Sequence, residues 1–469
     1  MRMLSSAVVL AWAFALLVST SQASGQLSPD TEAKIAAATE KVLEQSGVPS
    51  ASVGIVQDGR IVYTHAFGLA HLAPPLRAKA SMAYPIGSIS KQFTASAVLL
   101  LQQQGKLSVD DPVAKYFPEL TAASQVTIRN LLTHTSGYQD YAPQDYTIPA
   151  WKVPGDPLKI VHEFAGKPLD FEPGTQWQYS NTNFVLAALI VEKVSGEPFA
   201  RFLRENILTP AHLEHVLDLN TERDQLQVTG YMRNALAPLR PAELEAPGWY
   251  FGDADLAMPV ASLLDWDLTI INQKLLTPAS YKEMETSFVL KDGKDSHYGF
   301  GIENRIAEGH RELEHSGEVG GFVAENQVFP DEHAAIAVLT NQEASGAASA
   351  IANVILPILF QPAAQSAPAD VFAPKLKQIM SGLAQGKIDR AEFTPDANSY
   401  FDHSALEDFG SSLAPLGSVD SVTRLSRSLR GGMEFGLYRV AFSGGAAVRV
   451  TVYLEPDGRI EQLLVVAKE

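Results

Sequence analysis

No cysteine occurs among the 469 residues of this chain. That absence excludes disulfides, a thiolate nucleophile, a zinc-thiolate site and a lipid-bearing cysteine behind an export signal. Stability must come from core burial alone, which a chain of this length permits. Positive charge is also in short supply. The 36 Lys and Arg face 53 Asp and Glu, for a formal net charge of −17. Such a balance repels phosphates and argues against nucleic acid as a partner. Beyond the amino-terminal segment no apolar run approaches the about 20 residues that a membrane-spanning helix needs. There is no Gly-x-Ser-x-Gly elbow, which disfavours an α/β-hydrolase, and no Gly-rich cation-binding loop.

What is present describes a globular chain, with 46% hydrophobic and 19% charged residues, long enough for more than one domain. Residues 1–23 read as a secretory signal peptide. Arg2 supplies the positive start, Ala7 to Val18 form a 12-residue apolar run, and Ser21-Gln22-Ala23 offers small residues for cleavage after Ala23. The expectation is an exported bacterial protein, periplasmic or secreted, with no membrane span once the signal is removed.

Periodicity predicts a helix over 30–45, then strands Ser52–Gln57 and Arg60–Phe67 around an Asp58-Gly59 turn. Helix and loop signals fill Asp110 to Leu275. Strands follow at Tyr298–Arg305, Arg311–His315, Gly321–Phe329 and Ala334–Asn341, then a closing helix over Gln342–Phe360. Strands at both ends with helices between imply an α+β domain over 24–360: one antiparallel sheet flanked by helices, plus a helical subdomain, with the site in the cleft between them. Residues 361–369 are small, polar and proline-bearing, as in a linker. Residues 370–469 read as a small α+β accessory domain, with two helical segments before a curved antiparallel sheet. By element order that domain resembles the nuclear-transport-factor-2-like or cystatin-like group. Val448, Val450 and Val452 carry its clearest period-2 alternation.

Gly87-Ser88-Ile89-Ser90-Lys91 holds the only Ser-x-x-Lys, just ahead of the apolar run Ala97–Leu101. At this spacing hydroxyl and amine share a helix face. Serine needs a neighbouring base to become a nucleophile, and a desolvated lysine can serve. Tyr179-Ser180-Asn181, the only Tyr-x-Asn, precedes an apolar helix. A tyrosine beside an ammonium can act as a general base, and asparagine can bind a carbonyl and a lysine together. His315-Ser316-Gly317, the only His-x-Gly, lies before a strand, where glycine lets a substrate backbone approach a sheet edge. The residue after it can offer an N–H to an oxyanion. Lys291-Asp292-Gly293 is a rival by composition, but it reads as a surface turn.

In order, the chain carries Ile86-Gly87-Ser88-Ile89-Ser90-Lys91, Leu131-Leu132-Thr133-His134-Thr135-Ser136-Gly137, Tyr179-Ser180-Asn181, Tyr298-Gly299-Phe300-Gly301 and His315-Ser316-Gly317. This resembles the β-lactamase-related serine hydrolases: class C β-lactamases, D-alanyl-D-alanine carboxypeptidases, D-aminopeptidases and family VIII esterases, with a β-lactamase/penicillin-binding-protein-like fold. The resemblance spans roughly residues 30–360. It implies Ser88 as acylated nucleophile, Lys91 as its base or proton relay and Tyr179 as general base and later acid. It also implies Asn181 binding the substrate amide, His315, Ser316 and Gly317 lining the third wall, and an oxyanion hole from the N–H groups of Ser88 and Glu318. No metal and no cofactor is implied. The partner is a small-molecule or peptide substrate.

The expected activity is hydrolysis of amides or esters through a Ser88 acyl-enzyme, peptidase-like on D-amino-acid peptides or esterase-like, with β-lactam hydrolysis open. The alternative is a penicillin-binding sensor that is acylated but does not turn over. The third motif departs from the Lys-Thr-Gly of class C β-lactamases. Glu314 and Glu318 beside it are expected to repel a substrate carboxylate, a tilt away from β-lactams and free D-Ala-D-Ala ends. His212 and His215 share a helix on this reading but lack a third zinc-spaced ligand. His134 reads as a turn residue, and Asp110-Asp111 as a helix cap.

Overall fold

The computed structural model describes residues 26–144, 147–233, 238–360, 370–430 and 433–468. The expected signal peptide and linker lie outside them. The chain opens with α1 (Pro29–Ser46), capped by the Ser28 hydroxyl, and then forms β1 (Ser50–Gln57), β2 (Arg60–Leu72) and β3 (Pro75–Arg77). Short strands β4 (Tyr84–Pro85), β5 (Leu217–Asp218), β6 (Tyr231–Met232), β7 (Arg240–Pro241) and β8 (Leu256–Met258) punctuate the long middle region. Its helices are α2 (Lys91–Gln103), α3 (Ile128–Leu132), α4 (Pro157–Phe164), α5 (Asn181–Ser195), α6 (Phe199–Leu203), α7 (Val260–Ile271) and α8 (Pro278–Glu285). Strands β9 (Glu303–Ala307), β10 (His310–Val319), β11 (Phe322–Phe329) and β12 (Ala334–Thr340), and then α9 (Ala347–Leu359), complete the domain.

The seven main strands form one antiparallel sheet in the order β3-β2-β1-β12-β11-β10-β9. Its first and last parts join directly, with Val53 opposite Val338. This is the sheet assembled from distant pieces that the sequence predicts. β1 is buried along nearly its whole length because both faces are covered. Val53 and Ile55 pack with Ile351 and Ile355 of α9, while the Gly54 position is closed off by Val260 and Leu264 of α7. The helical region packs beyond α7 around Phe93, Phe184 and Trp266.

Four expectations are corrected. The strand predicted from Tyr298 begins only at Glu303, because Tyr298 to Gly301 fold back toward α2 and α8. Phe300 N–H donates to Met284 O, and a side chain at Gly301 would meet Lys91 O at 2.8 Å. The closing helix starts at Ala347, since Glu343 N–H is spent on Tyr231 O. His212 and His215 do not share a helix: each has a positive φ in the turns after α6. Asp110 and Asp111 are not a helix cap, for Asp110 pairs with Arg129, and Asp111 accepts from Lys115 and Tyr116.

From residue 370 onward the described residues form three helices, one more than predicted: α10 (Ala373–Leu383), α11 (Pro395–Tyr400) and α12 (His403–Leu413). They precede an antiparallel meander of β13 (Val419–Arg430), β14 (Met433–Phe442), β15 (Ala447–Leu454) and β16 (Ile460–Lys468). Val448, Val450 and Val452 are buried with Leu376 and Met380 in a core of their own, as the alternation requires. Register shifts in two of the strand pairs bend the sheet.

Candidate active site

Ser88 sits in a 3-10 turn, Gly87–Ser90, and Lys91 is the first residue of α2. In a 3-10 turn residues i and i+3 eclipse each other, so hydroxyl and amine are stacked more closely than an α-helix would hold them. Lys91 Nζ donates to Ser88 Oγ at 2.9 Å, to Asn181 Oδ1 at 2.7 Å and to the Asp253 carbonyl at 3.0 Å. The lysine is fully buried. Burial pushes its ammonium down to about 8, against the opposing pull of Asp253, Asp140 and Asp255. A proton acceptor poised near neutrality thus touches the serine oxygen. Lys91 Nζ also lies 4.9 Å from the centre of the Tyr179 ring.

β10 brings the third motif to this turn. β9 pairs with β10 only from His310 to Glu314, so among the described residues no strand covers that edge beyond Glu314. A substrate backbone can lie there. The 3-10 turn is pressed against the exposed edge: a Cβ on Gly317 would meet Ile86 O at 1.9 Å and Ser88 N at 2.9 Å. A Cβ on Gly87, whose φ is +51°, would meet Glu318 N at 2.5 Å. The two glycines therefore bring the N–H groups of Ser88 and Glu318 together, the arrangement an oxyanion hole requires. Ser316 is exposed on the other face of the strand.

His315 is oriented by two contacts. Nε2 meets the Tyr298 hydroxyl at 2.8 Å and Nδ1 the Ser316 carbonyl at 2.5 Å. A carbonyl can only accept, so Nδ1 carries a proton and donates it. Tyr298 is wholly buried, and burial pushes its hydroxyl well above the ordinary range, so it stays protonated. His134 does more than turn the chain. Its ring packs at a tilt against Tyr179, 4.2 Å between centres, and its Nδ1 accepts from the Ser180 N–H at 3.2 Å. Burial holds it well below the usual histidine range. His134, Trp177 and Tyr298 thus wall in Tyr179.

Glu314 and Glu318 do not act as expected. Strand alternation puts both on the sheet face opposite His315, where Arg305 lies 3.4 Å from Glu314 and Glu318 accepts from Ala344 N–H at 2.6 Å. The predicted repulsion of a substrate carboxylate by these two side chains is withdrawn.

Sequence reasoning missed a set of carboxylates behind Lys91. Asp253 and Asp255 are buried, and the half-buried Asp140 joins them. Burial pushes Asp140 up to about 6 and Asp255, with help from Asp218 and Asp253, up to about 8. Asp253 accepts from the Tyr141 hydroxyl at 2.8 Å and from Phe251 N–H at 2.9 Å. The available signal was acidic residues isolated in weakly charged stretches, Tyr138-Gln139-Asp140-Tyr141 and Phe251-Gly252-Asp253-Ala254-Asp255. The loops after Tyr141 and before Pro259 join into one wall, through Ala246 N–H on Trp151 O and Trp249 Nε1 on Val153 O.

The family profile described as Beta-lactamase matches residues 35–356. The chain belongs to the β-lactamase family. Within this family it is 27% identical over 394 residues to a D-aminopeptidase of Cereibacter sphaeroides, covering 81% of this chain and 75% of that one. It is 30% identical over 305 residues to a penicillin-binding protein of Bacillus subtilis, covering 61% and 67%. A second penicillin-binding relative in that species is covered over only 61% of its length, so the chain spans less than two thirds of some curated relatives. Among solved structures, a D-stereospecific amidohydrolase from Streptomyces superposes with a TM-score of 0.60 at 25% identity, over 71% of this chain and 99% of that one. An octameric penicillin-binding protein homologue from Pyrococcus abyssi shares the fold over 93% of this chain and 99% of its own, with a TM-score of 0.63 at 21% identity. That coverage extends past the β-lactamase-family domain into the small carboxy-terminal domain.

Proposed function

We propose that this member of the β-lactamase family is a serine hydrolase that cleaves amide or ester bonds through an acyl-enzyme on Ser88, peptidase-like toward D-amino-acid peptides and amides or esterase-like. The observation that carries the reading is the 2.9 Å contact between the buried Lys91 amine and Ser88 Oγ beside the open edge of β10. The D-aminopeptidase and D-stereospecific amidohydrolase relatives support an amide substrate with a D-residue.

In this mechanism Ser88 Oγ attacks the substrate carbonyl as its proton passes to Lys91. Charge developing on the carbonyl oxygen is met by the N–H groups of Ser88 and Glu318. The amine or alcohol leaves with a proton delivered through Tyr179, and water then attacks the ester on Ser88 with the same groups in reverse. Proton transfer and the oxyanion hole each contribute about 10²–10³ in rate or more.

The reading is tested with wild type and Ser88→Ala on nitrocefin, a short-chain p-nitrophenyl ester and a D-alanyl peptide, followed by mass spectrometry of the intact protein. Turnover that disappears in Ser88→Ala is expected. Activity undiminished in that variant would sink the mechanism. A stable penicillin adduct without turnover would favour the sensor, the second reading that the penicillin-binding relatives support.

A further inference from the structure

The Asn181 amide is fully committed before any substrate arrives. Its Oδ1 accepts from Lys91 Nζ at 2.7 Å. Its Nδ2 has two hydrogens, and they go to Asp140 Oδ2 at 3.2 Å and to the Ala142 carbonyl at 3.2 Å. Asp140 Oδ1 in turn accepts from Ala142 N–H at 3.0 Å and Asn181 N–H at 2.9 Å. The latter bond caps α5 from outside, since Ser180 at its N-cap makes no side-chain bond. The orientation of the amide is unambiguous: reversing it would set NH₂ against the ammonium and oxygen against a carboxylate. The role expected of Asn181 from the family resemblance, donating to a substrate amide, is therefore not available in this arrangement.

We propose that Asp140 is a specificity-determining positioning residue: by accepting from both the backbone N–H and the Nδ2 of Asn181 it helps lock the side chain onto Lys91 and removes a donor for a side-chain amide carbonyl, so the preferred substrates carry acyl groups without an amide carbonyl next to the scissile one. The proposal rests on the acyl-enzyme reading of Ser88. Free-amine aminoacyl groups and simple alkyl acyl groups satisfy it, whereas acylamido groups lose a hydrogen bond. A neutral hydrogen bond contributes about 0.5–1.5 kcal/mol, or about two- to tenfold in rate. In Asp140→Asn the new amide can still accept from Asn181 N–H, but it sets a donor against Nδ2 and frees that group.

The experiment uses two activated esters of matched length, p-nitrophenyl N-acetylglycinate and p-nitrophenyl pentanoate, with the full-length protein. The quantity read is the ratio of their kcat/KM values. In Asp140→Asn the ratio is expected to rise about three- to tenfold in favour of the acylamido ester. In Asn181→Ala both rates fall together and the ratio stays within twofold, because that side chain touches Lys91 and not the substrate. An unchanged ratio in a folded Asp140→Asn protein, or a ratio that drops in Asn181→Ala, overturns the proposal. If Asp140→Asn does not fold, Asn181→Ala decides alone. Loss of Ser88 dependence for both esters would instead defeat the acyl-enzyme reading itself.

Discussion

Lys91 and the carboxylates behind it set the protonation behaviour of the whole site. The lysine must shed its proton to act as a base, and burial brings its pKa to about 8. On a neutral ester, kcat/KM should therefore climb about tenfold per pH unit below that value and level off above it. A profile flat from pH 6 to 9 would remove Lys91 from the role of base. Asp255 makes a prediction about stability. Its carboxyl ordinarily titrates at 3.8, but in the fold it holds its proton until about 8. The folded state then binds more protons than the unfolded one across that window, so stability falls as pH rises through it, by about 1.4 kcal/mol per unit from this group alone. Asp255→Asn should flatten that slope, raising the melting temperature at pH 8 while leaving it nearly unchanged at pH 4. Thermal melts across the range check it.

At the scale of elements, the site depends on how closely the Ser88 turn and β10 approach. Gly317 allows it, because any side chain there collides with the Ile86 carbonyl, a backbone atom that has little room to yield. Gly317→Ala should separate turn from strand and displace an oxyanion donor, costing about 10²–10³ in kcat. Ester kinetics alongside a melting curve would show whether activity falls far more than stability. How far the elements were legible follows from their patterns. β15 alternates valines with polar residues, and its buried face is visible in the letters. Tyr298 to Ile302 has strand-like composition too, yet it is a loop, because Met284 takes the Phe300 N–H and only tertiary packing supplies that partner.

The molecule has two sets of cores. The sheet-and-helix domain buries Phe93, Phe184 and Val338, whereas Leu376, Val450 and Leu463 belong to a separate cluster. Separate cores predict separate cooperative units. Calorimetry of the full chain should resolve two transitions, and a stable adduct on Ser88 should move only one of them. A single transition shifted as a whole would show that the domains unfold together.

The sequence by itself determined the family, because Ser88-x-x-Lys91, Tyr179-x-Asn181 and His315-x-Gly317 are short-range patterns of fixed residue type and spacing. It likewise determined the division into a large α+β part and a smaller one, since periodicity is local. Tertiary structure decided what those residues face. Asp140 and Asp253 are 113 residues apart in the chain, and nothing in the spacing announces that both lie behind Lys91. Glu314 adjoins His315 in sequence but points to the other side of the sheet, because successive side chains of a strand alternate faces. A lysine's pKa and an amide's free donors depend on neighbours supplied by folding, and so the selectivity of the site is a property of the packed chain.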